Sequence, residues 1–211
     1  MSDVSTLYGA MDQLDLLVQR EKYNSYILEH QKNVLLAYNK LFTNPDVIAG
    51  LERKGIIAEH LSVLRKELVH HDDSKFSDEE FEPYRKKFFK TKQEEEGKES
   101  EEDKMIQAEA YESAWKHHYL SNPHHPEHWR WRLDQTIPMK FSSTRLETAT
   151  PMDTVSILHM LCDWEAMSIK FGTNTLNWYN TEAQDEKKAM NPETKERVEQ
   201  IFTILYPGGV S

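Results

Sequence analysis

Histidine and aspartate carry most of the chemistry available to this chain. The sequence holds ten histidines, and eight of them lie between His60 and His128. Three local groups stand out: His70-His71-Asp72-Asp73, His117-His118, and His124-His125 followed by His128. Imidazole and carboxylate together bind Fe, Mn, Co, Ni or Zn, whereas thiolate sites need cysteines that this chain lacks. The pattern predicts a site for one or two divalent transition metal ions.

Adjacent histidines cannot all serve such a site. Two neighbours on a helix point about 100° apart, so the two members of a pair cannot both face one core. His60 precedes His71 by eleven residues, which is roughly 16 Å along a continuous helix, so these two cannot share one ion there. We therefore expect His60 to be structural or exposed.

Asp163 is the distal acidic candidate. It stands between Cys162 and Trp164 in an apolar helical segment, where an ionised carboxylate is costly unless a metal or a cation pairs with it. His159 lies one helical turn earlier on the same face, either beside the site or packed behind it. His30 occupies an inward stripe, and a lone histidine on an apolar face is more often a core residue than a ligand.

Composition restricts the partners. The formal net charge of -10 argues against non-specific binding to nucleic acid, which depends on clustered Lys and Arg. A phosphate substrate would need a local cation. The single cysteine excludes an intramolecular disulfide framework, the N-terminus lacks a signal-peptide pattern, and no apolar stretch reaches the roughly 18 residues of a membrane span. The expected location is the cytoplasm of a bacterial cell or of a virus-infected host, without membrane binding.

Helical periodicity runs through the whole chain and predicts an all-α fold. Apolar residues recur at helical spacing over residues 3–42, with Tyr23, Ile27, Val34 and Leu41 on one stripe. Pro45 should open a short helix ended by Gly50 or Gly55. Further helices are expected at residues 56–70 (with Ile57, Leu61, Leu64 and Leu68 inward), from the capping box Ser77 to Glu80 onward, at 105–120 and at 151–171.

The expected organisation is one domain over residues 1–211. Residues 90–104 contain no apolar side chain and predict a solvated, disordered loop. Residues 183–211 are expected to form a peripheral C-terminal segment.

The order of the candidate ligands resembles that of the HD-domain superfamily of helical metal-dependent phosphohydrolases. The series is His30, His71-Asp72, His118, His124-His125 and Asp163. In that superfamily a His, a His-Asp pair and a distal Asp surround one or two metals, and the two-metal branch adds histidines between the pair and the last Asp. The resemblance implies an HD-like helical bundle with the metal site between its helices.

Local motifs add to this resemblance. His71-Asp72-Asp73-Ser74-Lys75 is similar to the superfamily's His-Asp-x-Gly-Lys stretch, which implies that Lys75 contacts the substrate phosphate and that Asp72 bridges the metals. The runs HDDSKF, NPHHPEHW and CDWEAMSIKFG also resemble a family of small uncharacterised phage and bacterial proteins, over roughly residues 26–180. That second resemblance implies no activity.

Two departures bear on the ligand set and the substrate. Only six residues separate His118 from His124, a shorter interval than in two-metal HD proteins, which leaves His117 and His128 as alternatives. The Gly-Tyr-Pro signature of the cyclic-dinucleotide phosphodiesterases is missing. Cyclic dinucleotides are therefore not favoured as substrates.

The resulting hypothesis is hydrolysis of a phosphate ester, with a nucleotide as one possible substrate, by metal-activated water. Lys75, together with Lys140 or Arg145, would neutralise the phosphoryl charge, and Asp73 or a non-ligating histidine would carry the leaving-group proton. Trp164 belongs to a group of tryptophans that either packs the core or stacks on a nucleobase. Two rival functions remain open: an HD-type di-iron oxygenase, and a non-catalytic binding protein with a structural metal.

Overall fold

The helix boundaries follow the capping residues of the sequence. Asn44 accepts a hydrogen bond from the backbone of Asp46 in front of a helix that Pro45 opens. Asp153 accepts a hydrogen bond from the backbone of Ser156 at the start of the longest apolar helix. Side chains of this type satisfy amide groups that have no partner within the helix.

A computed structural model describes residues 2–97, 100–134 and 150–209, and within them the protein is all-α, as predicted. The helices are α1 (Ser2–Phe42), α2 (Pro45–Glu52), α3 (Ala58–Glu67), α4 (Phe81–Phe88), α5 (Lys92–Glu96), α6 (Glu101–Ser121), α7 (Pro126–Asp134), α8 (Thr154–Phe171), α9 (Thr175–Thr181), α10 (Gln184–Ala189) and α11 (Pro192–Leu205). Short 3-10 turns cover Leu68–His70 and Asp73–Phe76. No helix in the described ranges is both long and apolar enough to cross a membrane.

The chain divides into two compact units, each built from two sequence segments. Unit 1 comprises Met1–Glu29 and Asp72–His118, and unit 2 comprises His30–His71 and Tyr119–Ser211. Helix α1 contributes residues to both units.

Unit 2 contains the larger apolar core. Helix α3 packs against α8, and α2 packs against α11. Leu64, Leu158 and Val198 are fully buried there. Residues 183–211 were expected to be peripheral, but Val198, Ile201 and Phe202 of α11 belong to this core. The amphipathic stripe of α11 explains the correction, because it is apolar at helical spacing.

Unit 1 has a smaller core, in which Tyr23, Ile27 and Phe81 pack together. Residues 90–104, expected to form a solvated loop, instead contain α5 and the first residues of α6. Helix α5 begins with a capping box between Thr91 and Glu94. Polar residues can form such a helix because reciprocal capping satisfies its first amide groups.

Two local predictions need correction. Ile57 was expected to face inward but is exposed, since it stands before α3. The predicted helix start at Ser77 is displaced, because α4 begins at Phe81 and neither Ser77 nor Glu80 provides a side-chain cap. The helix ending at Gly172 was predicted correctly, and this glycine adopts a φ of 66° that favours a residue without Cβ.

Candidate metal centre

The turn after α3 places the consecutive residues His70 and His71 in different environments. The helix tightens into a 3-10 turn at Leu68–His70, and Asp72 then adopts a left-handed conformation with φ of 57°. That conformation costs an L-residue about 1–2 kcal/mol, and aspartate tolerates it better than most. The turn leaves His70 exposed and buries His71, as expected for an adjacent pair. Gln31 Nε2 donates a hydrogen bond to the His71 carbonyl at 2.7 Å.

Three potential metal-ligand atoms from distant parts of the sequence lie close together in unit 2. His30 Nε2 lies 2.9 Å from Asp163 Oδ1 and 3.0 Å from His71 Nε2. His71 Nε2 lies 3.7 Å from the same carboxylate oxygen. Two ligands that are each about 2.1 Å from a common ion lie roughly 3.0–3.4 Å from each other in octahedral or tetrahedral geometry. The separations of His30 Nε2 from the other two atoms are close to this range, whereas the 3.7 Å between His71 Nε2 and Asp163 Oδ1 exceeds it.

A cation at this point would also satisfy these three atoms. A neutral imidazole nitrogen carries either one proton or one lone pair. If His30 Nε2–H donates to Asp163, the same nitrogen cannot accept a proton from His71. A divalent cation would instead accept lone pairs from both imidazoles and from the carboxylate, so that all three atoms are satisfied.

More histidines adjoin this set within unit 2. His71 Nδ1 lies 2.8 Å from His159 Nε2, and the rings of His159 and His124 stack with centroids 4.4 Å apart. His125 follows with its ring centroid 4.4 Å from that of His124. These residues form two groups of potential metal ligands, and within each group the ligand atoms lie within 4.8 Å of one another. One group is His71, His124 and His159, and the other is His124, His125 and Asp163.

The local sequence explains how His124 and His125 reach the cluster. Helix α6 ends at Ser121, and Asn122-Pro123 begin a turn closed by the His125 amide donating to the Asn122 carbonyl at 3.1 Å. Proline cannot continue a helix because it lacks an amide hydrogen. The next helix, α7, then starts at Pro126.

The charge of Asp163 is stabilised by its surroundings. Burial alone would raise the pKa of this carboxyl group. The hydrogen bond from His30 and the electrostatic interactions with His30, His71 and His124 outweigh that effect and hold the pKa of Asp163 well below its ordinary value. The carboxylate is therefore available as an ionised ligand.

A cleft of about 860 Å³ in unit 2 opens onto two of these histidines, His124 and His159. Glu67 and Asp153 also line it, and burial together with the Asp153 charge raises the pKa of Glu67. A small molecule could thus reach the imidazoles from outside.

Unit 1 contains a second polar cluster around Asp72. Lys75 Nζ lies 2.7 Å from Asp72 Oδ2, and His118 Nε2 lies 3.4 Å from Asp72 Oδ1. Glu80, which is fully buried, accepts hydrogen bonds from His117 Nδ1–H at 2.7 Å and from His118 Nδ1–H at 2.9 Å. Asp73, proposed above as a proton carrier, is exposed.

Other candidates have structural partners instead. His128 Nδ1–H donates to the carbonyls of Tyr119 and Leu120, each at 3.1 Å, and so caps α6. His60 Nδ1 accepts the Ile57 amide hydrogen at 3.1 Å, in keeping with the structural role expected for it.

Of the predicted substrate contacts other than Lys75, one lines a separate cavity and two are not described. Trp164 packs against Trp178 and Tyr179 with ring centroids 5.3 and 5.8 Å away, and it lines a separate cavity of about 380 Å³. Lys140 and Arg145 lie outside the described residues.

Sequence reasoning missed two residues of these clusters. Glu80 was interpreted as part of a capping box, although it binds two histidines. His159 was left either beside the site or behind it, and it lies beside it. The spacing of four between His159 and Asp163 on one helix was the signal that could have placed both in the ligand set.

These features define an all-α protein with buried histidine and aspartate groups that could hold a metal ion. Residues 19–204 match the model of a family described as a family of unknown function (DUF5662), and the chain belongs to that family. No curated protein and no solved structure gives a significant match.

Proposed function

We propose that this protein is a metal-dependent phosphohydrolase acting on a small phosphate ester, with nucleotides among the candidate substrates. The observation that carries the proposal is the convergence of His30 Nε2, His71 Nε2 and Asp163 Oδ1 at separations of 2.9 to 3.7 Å. Mixed imidazole and carboxylate ligands are typical of catalytic Zn, Mn and Fe sites.

The chain's own residues would hold the ion and admit the substrate. His30, His71 and Asp163 are the proposed ligands, and His124 and His159 face the cleft beside them. When bound, a divalent metal in such a site supplies Lewis acidity toward phosphoryl oxygens and a lowered pKa for water. The cleft volume of about 860 Å³ falls in the range of roughly 300–1,000 Å³ usual for small-molecule pockets.

Lys75 is the proposed phosphate contact, a role that comes from the resemblance of HDDSK to the HD-type motif. Its ammonium group already neutralises Asp72 at 2.7 Å within unit 1. A fixed cation of this kind would help an acidic protein with net charge -10 to accept an anionic substrate. Asp72 and His118 remain predicted ligands on the same grounds.

The first experiment compares His71→Ala with His70→Ala, which changes the exposed neighbour of the same type. Metal content after loading with Zn, Mn or Fe would be measured by mass spectrometry. Turnover would be measured on p-nitrophenyl phosphate, bis-p-nitrophenyl phosphate and a nucleotide panel. Wild type and His70→Ala should bind stoichiometric metal, and the wild type should release phosphate, whereas His71→Ala should bind less metal and release no phosphate. Lys75→Met should lower kcat/KM by about a hundredfold, because it removes the positive charge proposed to stabilise the phosphoryl group.

Three results would overturn the hydrolase proposal. Absence of stoichiometric metal in the wild type would remove its basis. Dioxygen consumption by the iron form without phosphate release would favour the oxygenase. Bound metal with neither activity would favour a structural role for the ion.

A further inference from the structure

Glu80 is a fully buried carboxylate whose two oxygens contact two different imidazoles. Oε1 lies 2.7 Å from His117 Nδ1, and Oε2 lies 2.9 Å from His118 Nδ1. These are short, charge-assisted hydrogen bonds. A buried carboxylate is expensive unless it is paired, and both imidazoles donate to this one.

The hydrogen bond to Glu80 determines which ring nitrogen of His118 carries the proton. A carboxylate only accepts, so His118 Nδ1 must donate, and in the neutral ring Nε2 then holds the lone pair. The hydroxyl of Ser74 lies farther from His118 Nδ1, at 3.3 Å, and does not compete with the charged acceptor. His118 is 1% exposed, which excludes solvent from this choice.

The lone pair of His118 faces a second ligand atom. His118 Nε2 lies 3.4 Å from Asp72 Oδ1, a separation that matches two ligands of one divalent ion. Two acceptors that face each other at this distance repel unless a cation or a proton lies between them. The backbone reinforces the placement, because Asp72 is held in its left-handed conformation.

We propose that Glu80 is a positioning residue that fixes the Nδ1–H tautomer of His118, so that His118 Nε2 and Asp72 Oδ1 together bind a divalent transition metal ion. The metal part of this inference rests on the proposed function. A carboxylate behind a metal-binding histidine commonly orients the ring and increases its basicity, and losing it typically costs 10- to 100-fold in metal affinity.

His117 provides a matched control for His118. Its side chain is 38% exposed, and it contacts the other oxygen of the same carboxylate. Removal of His117 leaves the bond between Glu80 and His118 in place. His117→Ala should therefore leave the His118 tautomer unchanged.

The test is long-range ¹H–¹⁵N NMR of the histidine rings in the full-length protein, first without metal and then with added Zn²⁺. In wild type and His117→Ala, His118 should be the Nδ1–H tautomer, and its Nε2 resonance should shift as Zn²⁺ binds. In Glu80→Gln the tautomers should mix, and half-saturation of that shift should need 10- to 100-fold more Zn²⁺. Thermal midpoints would be recorded for all three proteins.

Two outcomes overturn the inference. One is an Nε2–H tautomer of His118 in the metal-free wild type, a result that stands even if Glu80→Gln does not fold. The other is an unchanged Zn²⁺ midpoint in a folded Glu80→Gln protein. Failure of the proposed function is distinguishable, because a protein that binds Zn²⁺ here but releases no phosphate contradicts only the hydrolase.

Discussion

Asp163 Oδ1 and His30 Nε2 lie 2.9 Å apart and join the middle of α8 to the part of α1 that belongs to unit 2. Neither residue has an obvious role by itself, since one is an acid in an apolar helix and the other a histidine on an apolar stripe. Together with His71 they supply both the charge and the lone pairs that a divalent cation needs.

Removing Asp163 should weaken stabilisation by metal. Zn²⁺ at a hundred times its dissociation constant should stabilise the wild type by about 2.7 kcal/mol, because it binds the folded state. Asp163→Ala should show a smaller increase in the thermal midpoint, because it retains only the proposed ligands Asp72 and His118. Asp185→Ala is the control, since the Asp185 side chain is 95% exposed. An equal increase in wild type and Asp163→Ala would exclude Asp163 as a ligand.

Glu94 should make the stability of unit 1 depend on pH. Hydrogen bonds from Arg85 at 2.7 and 2.8 Å hold the pKa of Glu94 at about 2, against the opposing effect of burial. The folded-state pKa lies below the unfolded value of about 4.5, so the contribution is complete above that pH and disappears as pH falls toward 2.

Glu94→Gln should therefore lose about 2 kcal/mol of unfolding free energy at pH 7 and progressively less below pH 4. Urea titrations at pH 7, 4 and 3 would measure the difference in unfolding free energy between wild type and Glu94→Gln. Glu95→Gln changes an exposed neighbour and should have little effect at any pH. A deficit that stays constant from pH 7 to pH 3 would contradict the assignment to ionised Glu94.

Glu165 should be important for the stability of unit 2. Its side chain is 1% exposed, accepts hydrogen bonds from Thr175 at 2.6 Å and Tyr206 at 3.0 Å, and pairs with Lys40. Glu165→Ala removes the ionised acceptor shared by the buried Thr175 hydroxyl and the half-buried Tyr206 hydroxyl and should cost about 3 kcal/mol. Denaturant unfolding of Glu196→Ala, at an exposed position, should differ from wild type by no more than about 0.5 kcal/mol. Similar losses in the two variants would count against this network.

Gly50 permits the close approach of α2 to α11. A Cβ at this position would lie 2.6 Å from Ile204 Cγ2. Gly50→Ala should therefore destabilise by about 1–3 kcal/mol, despite the better helix propensity of alanine. Adding Ile204→Leu, which removes the Cγ2 branch that a Cβ at position 50 would meet, should restore part of the loss in thermal unfolding.

Gly9 is the matched control for this prediction. It lies in α1 with no atom within 4 Å of a Cβ, so Gly9→Ala should stabilise by up to about 1 kcal/mol. A neutral Gly50→Ala would show that the contact with Ile204 does not limit position 50. A destabilising Gly9→Ala would show that the control itself fails.

Local chemistry made much of the helical architecture predictable. Asp153 and Gly172 mark the two ends of the helix that bears Asp163, because a capping side chain and a positive φ are properties of single residues. The inward stripe of α1 was equally readable from helical spacing. Polar segments were harder: α5 depends on the reciprocal bonds of Thr91 and Glu94, which composition alone does not reveal.

The sequence alone determined that histidines and aspartates are concentrated near helix ends, and that only one of His70 and His71 could face inward. The tertiary structure decided that His159 lies beside His71 while His128 caps a helix, and that Glu80 binds two histidines. The physical reason is that helical periodicity assigns a side chain to a face of its own helix. Which faces then meet depends on packing between segments far apart in the chain, and hydrogen-bond partners follow only from that packing.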